Sequence, residues 1–444
     1  MKMSKILSLL LVVAMILSTF VACGGGNKGN ENKPSEEQGS GDQGSGEQPG
    51  GDSGNEGGNE DNPYAALAGT YNITMWVSEI DGVADQFQAQ IDKFEEAYPG
   101  IIINAQIEGV TEADAGSQVI ADVSTAPDIY CFAQDQLARL VQAAALAKPI
   151  DSVANQVKLD NDGGSVAAAS VGDVLYAYPL TSDNGFYMFY DKSIISEEDA
   201  ESMERLIEIC NEQGRTFRFP LTNGWYNAGF FFATGCSSTW TVDGDGQFNG
   251  VNDTYNTDAG LVAMKAMQKL AQAPCYDADN ETLIDLGVVI SGTWAANGIK
   301  EALGENYAAT DLPSFEVDGQ SYHLGSFTGN KLMGVKPQAD SNRAIVLSLL
   351  AQFLTNAECQ EERFNEFGWG PSNLVAQDSE GVQNDPALAA FAKQGAYGKP
   401  QGQIHGDWWA IAEVLGAQAQ NATSEQDLKD ALGAYENAVK GLVE

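Results

Sequence analysis

Four short stretches of the sequence carry aromatic rings on or beside polar or glycine-containing turns, some with a carboxylate or amide next to the ring. They are Phe132-Ala133-Gln134-Asp135-Gln136, Trp225-Tyr226, Ser291-Gly292-Thr293-Trp294, and the pair Trp408-Trp409. An aromatic ring offers a flat apolar face, and a carboxylate or amide offers fixed hydrogen bonds at an edge. Together they suit a neutral ligand with C–H faces and hydroxyl rims, such as a pyranose. Glu79 and Asp81 sit just after the first apolar stretch, where they either accept hydroxyls or cap a helix. Asp135 has the same two readings. Trp225 and Tyr226 fall in the polar, glycine-containing run Leu221-Thr222-Asn223-Gly224-Trp225-Tyr226-Asn227, which reads as a loop. Trp408 and Trp409 open a helix, so one points inward and one outward, and Trp408 is assigned to the ligand. Trp369 is divided between core and ligand, and Trp76 and Trp240 are assigned to cores.

Catalytic arrangements find little support. The chain has 2 histidines, His323 and His405, with no HExxH spacing, phosphate-binding glycine loop, GxGxxG or nucleophile elbow. No metal, cofactor or catalytic residue is therefore expected. Asp243-Gly244-Asp245-Gly246-Gln247-Phe248 superficially resembles a calcium loop. Phe248 stands where that loop needs glycine and Thr254 where it needs glutamate, so a hairpin turn is the better reading. Two carboxylates flanking a glycosidic bond would make a hydrolase, and 53 acids after residue 63 leave that rival open. The net charge of −39 opposes nucleic acid, polyanions and anionic lipid surfaces as partners.

These residues need elements to position them. Tyr71–Val77 reads as a buried strand, and Ala84, Phe87, Ile91 and Phe94 recur at helical spacing up to the stop Tyr98-Pro99-Gly100. Ile101-Ile102-Ile103 begins a second strand, completing a βαβ unit and hence a parallel sheet. Asp128–Cys131 is a short strand, with Leu137, Leu140, Val141 and Ala144 lining the next helix. The turn 132–136 then falls at a strand's C-terminal end, where open α/β sheets bind ligands. A further strand is expected near 186–190, with helices near 203–211, 261–271, 344–354 and 407–419. About 380 residues beyond the N-terminal region exceed one comfortable core and suffice for two lobes. Cys131, Cys210, Cys236, Cys275 and Cys359 read as mostly reduced core residues, with at most one bridge.

The first 22 residues have the layout of a secretory signal: Lys2 and Lys5, an apolar run from Ile6 to Phe20, then small Ala22. Phe20-Val21-Ala22-Cys23 resembles a bacterial lipobox, with Phe in place of the usual Leu. That resemblance implies a diacylglycerol on Cys23; the alternative is an ordinary signal peptide with an incidental cysteine. Residues 23–63 are then a Gly/Ser/Glu-rich tether, expected to be disordered, with a reach of roughly 35 Å.

A family resemblance follows from motifs in order. They are Phe94-Glu95-Glu96-Ala97-Tyr98-Pro99-Gly100-Ile101, Pro127-Asp128-Ile129-Tyr130 with Leu146–Asp151, Tyr178-Pro179-Leu180 with Tyr187–Lys192, and Ser291–Trp294. Together they resemble the extracellular solute-binding proteins of bacterial ABC sugar importers, and in particular the maltose- and maltodextrin-binding branch. The resemblance implies a two-lobed α/β, periplasmic-binding-protein-like fold of type II. Its lobes would be 64–181 with 325–373 and 182–324 with 374–444, with crossings near 180–184, 318–325 and 372–376. It also implies a maltooligosaccharide ligand held by Phe132, Gln134, Asp135, Gln136, Asp183, Trp225, Tyr226, Trp294, Trp408 and Trp409. ABC permease subunits are the implied partners of a monomer anchored outside the cell membrane of a Gram-positive bacterium. Gln136 departs from the branch's arginine, and the hinge segment is one residue longer.

Overall fold

The computed structural model describes residues 64–243 and 246–443. The signal segment, Cys23, the tether, and Gly244 and Asp245 of the acidic turn lie outside the described residues.

Two five-stranded sheets organise the rest. In the first, the order is Ile101–Gly109, Gly69–Val77, Ile129–Ala133, Lys331–Val335, Tyr178–Thr181. Gly69–Val77 runs parallel to both its neighbours, and Lys331–Val335 is antiparallel to Ile129–Ala133 and to Tyr178–Thr181. The sequence explains the arrangement. Ile73, Met75 and Val77 alternate into the core, whereas Ile129–Cys131 is buried on both faces. Helix Val83–Ala97 covers the sheet with Val83, Phe87, Ile91 and Phe94, one turn apart. Each such side chain contributes about 1.5–3 kcal/mol through burial. The helix begins at Gly82, in the left-handed conformation (φ 84°), with no side-chain cap, so Asp81 does not cap it.

The second sheet has the order Tyr276–Asp277, Thr216–Arg218, Leu286–Ser291, Tyr187–Asp191, Tyr307–Thr310. Strand Tyr187–Asp191 is buried throughout because both faces are covered. Met188 and Tyr190 enter one cluster with Phe217, Phe230 and Trp408, while Tyr187 and Phe189 enter another with Val289, Ile299 and Ala390. Helices Met203–Gln213, Asp258–Ala271, Ser341–Leu354 and Trp408–Asn421 stand close to their expected positions. Ser238–Val242 and Phe248–Asp253 form an antiparallel hairpin around the acidic turn.

The first sheet's core, with Phe94, Tyr130, Leu332 and Trp369, is a cluster separate from these two. The chain passes between them three times. One passage joins Tyr178–Thr181 to Tyr187–Asp191. A second runs through Gly329 and Asn330, from Phe327 in one core to Leu332 in the other. The third runs from Trp369 to Ala387. Polar side chains brace the passages. Asn330 donates through Nδ2 to Thr181 O (2.9 Å) and Ser165 Oγ (2.5 Å), and its N–H donates to Gln134 Oε1 (2.7 Å). Asp183 Oδ2 accepts from Gly370 N (2.6 Å) and from Thr293 Oγ1.

Candidate functional site

A cleft of about 560 Å³ lies between the two sheets and the passages that join them. The first lobe contributes strand ends and a helix start: Ser78 and Glu79 after Gly69–Val77, Glu112 opening helix Glu112–Ala121, and Asp135 after Ile129–Ala133. These are the C-terminal ends of the parallel strands, where the pleat stops and backbone and side chains are free to face a ligand. The second lobe contributes an aromatic wall of Trp225, Trp294 and Trp409.

Each tryptophan is aimed by its local structure. Trp225 occupies the first turn of helix Gly224–Ala233, where its N–H donates to the Asn223 side chain (2.9 Å). The loop expected around Trp225 and Tyr226 is thus a capped helix, formed because Asn223 is a strong N-cap and nine of the ten residues that follow are apolar or small. Gly224 has to be glycine, since a Cβ there would lie 2.8 Å from Ala412 Cβ and 3.0 Å from Trp409 O. Trp294 folds back over Gly292, where a Cβ would lie 2.1 Å from its ring. The Trp225 ring lies 5.9 Å from Trp294, and Trp409 lies 5.8 Å from Phe327. Tyr226 is buried beneath Trp225, and its hydroxyl accepts from Asn280 (3.2 Å). Burial pushes its pKa up to about 12.

Asp135 faces the wall from the first lobe. Its Oδ1 accepts from Gln401 Nε2 (2.8 Å) and its Oδ2 from Trp409 Nε1 (3.2 Å), both second-lobe donors. Gln401 Oε1 in turn accepts from Trp225 Nε1 and Asn184 Nδ2, each at 3.2 Å. Burial of Asp135 outweighs these bonds and the nearby Arg139 charge, and its pKa rises to about 7. The carboxylate caps no helix: helix Leu137–Gln142 begins at Gln136 without a side-chain cap.

Glu79, Asp135, Trp225, Tyr226, Trp294 and Trp409 therefore converge on one cleft. The other expected residues do not line it. Trp408 is buried in the second core, where its Nε1 donates to Tyr435 OH (2.8 Å), so Trp409 is the outward member of the pair. Phe132 is fully buried beside Tyr130 in the first core, because its position on Ile129–Ala133 directs it into the packed side. Gln134 braces Asn330 at the hinge, and Gln136 Nε2 donates to Glu112 O (2.7 Å). Asp183 is a hinge brace, and Asp81 is exposed on the turn before Val83. Trp369 is buried in the first core, and Trp240 is half-buried against Phe248 and His405.

Sequence reasoning missed Gln401, Asn184, Glu112 and Lys331. Gln401 follows a three-residue strand in a Gly/Pro/Gln-rich segment with no periodicity. Lys331 opens an apolar strand and looks like an ordinary solvent-facing end. Neither position carries a local signal.

Two α/β lobes, each interrupted in sequence, joined by three braced passages and meeting at an aromatic and carboxylate cleft, define a two-lobed substrate-binding fold. The match to the model for bacterial extracellular solute-binding proteins covers residues 89–390, and the chain belongs to that family. No curated protein matches the chain in sequence. Among solved structures, one described as "with acarbose" is similar at 27% identity and a TM-score of 0.72, over 84% of this chain and 100% of that one. A maltodextrin-binding protein from L. casei BL23, without ligand, is similar at 19% identity and a TM-score of 0.70, over 85% of this chain and 100% of that one. The Thermus thermophilus maltotriose-binding protein bound with maltotriose gives 19% identity and a TM-score of 0.68, over 83% and 100%.

Proposed function

We propose that this chain is the substrate-binding component of an ABC carbohydrate importer. It captures an α-linked glucose oligosaccharide of the maltodextrin type and delivers it to the permease subunits. The observation that carries this reading is the opposition of Trp225, Trp294 and Trp409 on one lobe to Asp135 and Glu79 on the other, within one cleft. Stacking rings on one side and carboxylates on the other match a pyranose face and its hydroxyl rim. Several rings spaced along the wall fit more than one sugar unit. Support also comes from the structural likeness to proteins solved with acarbose or maltotriose.

In this reading the lobes are 64–181 with 330–373 and 182–329 with 374–444. The second boundary lies later than the expected 324/325, and the crossing later than 318–325, because Phe327 still packs in the second lobe's core. Ligand binding favours closure about the passages, as a population shift between open and closed forms. The first 22 residues are a signal peptide, Cys23 carries the lipid, and 23–63 tether a monomer to the outer face of the cell membrane of a Gram-positive bacterium. Calorimetry against maltotriose, with cellotriose and xylotriose as controls, tests the ligand. Selective binding of maltotriose is expected. Binding of a control alone would reassign the sugar, and no binding to any of the three would refute the class of ligand. No new reducing ends are expected after prolonged incubation with maltoheptaose; their appearance would favour a hydrolase.

A further inference from the structure

Glu112 and Lys331 both line the cleft, and both are nearly closed off from solvent, at 6% and 8% exposure. Lys331 Nζ lies 3.5 Å from Glu112 Oε1, longer than the roughly 2.8 Å of a charge-assisted hydrogen bond. Glu112 Oε1 is left with no hydrogen-bond partner. Leaving a buried carboxylate oxygen in this state is unfavourable, and the fold holds it there. The backbone carbonyl of Glu112 accepts from Gln136 Nε2, and Gly116 makes room for that amide, since a Cβ there would lie 2.1 Å from Gln136 Oε1. Lys331 is fixed from below by strand pairing with Ala133 and Thr181. Its ammonium lies 5.3 Å from the Trp294 ring and 5.1 Å from the Trp369 ring. The indole faces attract the charge, but they do not occupy an N–H donor as an oxygen does.

A donor and an acceptor thus stand 3.5 Å apart at the cleft, beside the ring of Trp294. We propose that Glu112 and Lys331 form a subsite for one hydroxyl of the bound oligosaccharide. The hydroxyl donates to Glu112 Oε1 and accepts from Lys331 Nζ, while its ring lies against Trp294. This assignment rests on the oligosaccharide reading above. A hydroxyl is the group that performs both roles without net charge. An ammonium can only donate and so satisfies Glu112 while facing the like charge of Lys331. A carboxylate can only accept and so satisfies Lys331 while facing the like charge of Glu112, and a deoxy carbon leaves both unpaired. The pair therefore selects neutral, fully hydroxylated sugars over amino sugars and uronates at this position.

The test is calorimetry with maltotriose on the wild-type protein, Glu112→Gln, Lys331→Met and the double variant. Each single variant should bind about 10- to 100-fold more weakly, the range for hydrogen bonds to charged groups. The double variant should be no weaker than the weaker single variant, because both act on one hydroxyl. Singles within threefold of wild type, or a double variant whose loss equals the product of the single losses, would overturn the subsite. If Lys331→Met does not fold, the isosteric Glu112→Gln is read against monodeoxy maltotrioses. One position must then cost tenfold or more in wild type and nothing further in the variant, and its absence would overturn the proposal. A wild-type protein that binds no maltotriose would instead refute the ligand reading, and the subsite with it. Wild-type binding with unaffected variants refutes the subsite alone.

Discussion

Raising the pH from about 5 to about 8 should open the unliganded protein, and Asp135→Asn should remove that response. Asp135 lies between the lobes, with both oxygens bonded to second-lobe donors, Gln401 and Trp409. When the lobes part, water reaches the carboxylate and its pKa returns toward the ordinary value near 3.9. When they close, burial raises it to about 7. Between those values the closed form retains a proton that the open form has lost. Each pH unit in the window therefore disfavours closure by about 1.4 kcal/mol. From pH 5 to 7 the closed-to-open ratio should fall by up to about 100-fold, then level off. His405 is a second titrating group, its pKa lowered by burial. The Asp135→Asn variant separates the two contributions. Its amide group must face one of two donors, so its closure is weaker but flat with pH above the histidine's range. Small-angle scattering and tryptophan fluorescence, read across pH 5–8 without ligand, report the closed fraction. A wild-type closed fraction that is constant or rises with pH would refute the reasoning, as would an unchanged pH response in Asp135→Asn.

The adjacent tryptophans should separate cleanly. Trp408→Ala should destabilise the fold by about 3–5 kcal/mol in chemical denaturation, because Trp408 is buried and bonded to Tyr435. Trp409→Ala should leave stability within about 1 kcal/mol and weaken maltotriose binding about 10- to 100-fold in calorimetry, through lost stacking and the lost bond to Asp135. Gly416→Ala should cost about 1–3 kcal/mol by denaturant titration, since its Cβ would lie 1.8 Å from Leu221 O, where helix Trp408–Asn421 crosses the loop. With Cys23 lipidated or replaced, the native protein should not react with Ellman's reagent, and the unfolded protein should yield five thiols. Cys131, Cys210, Cys236, Cys275 and Cys359 are free and buried, and burial pushes the Cys210 and Cys359 thiols up to about 12.

The α/β class, the first βαβ unit and most helix positions are legible along the chain, because they depend on periodicity and local stop signals. Phe87, Ile91 and Phe94 are spaced for one helical face wherever that face comes to lie, although the structure begins that face at Val83 and not at the expected Ala84. The sequence also marked Asp135, Trp225, Trp294 and the Trp408-Trp409 pair, through aromatic rings on short polar or glycine-containing stretches and through the family resemblance of the motifs that hold them. Which of the two tryptophans faces the cleft was decided only by tertiary structure. Neighbours on a helix point about 100° apart, and the inward direction is set by Tyr435, distant in sequence. The same holds for Gln134, Gln136 and Asp183, polar residues near the site that the fold uses as braces because Asn330, Glu112 and Gly370 meet them there. Gln401, Glu112 and Lys331 become site residues only because three passages of chain bring separate segments to one cleft. A pattern read along one dimension records which face a residue takes in its own element, whereas a binding site is set by which elements the packing of two cores brings together.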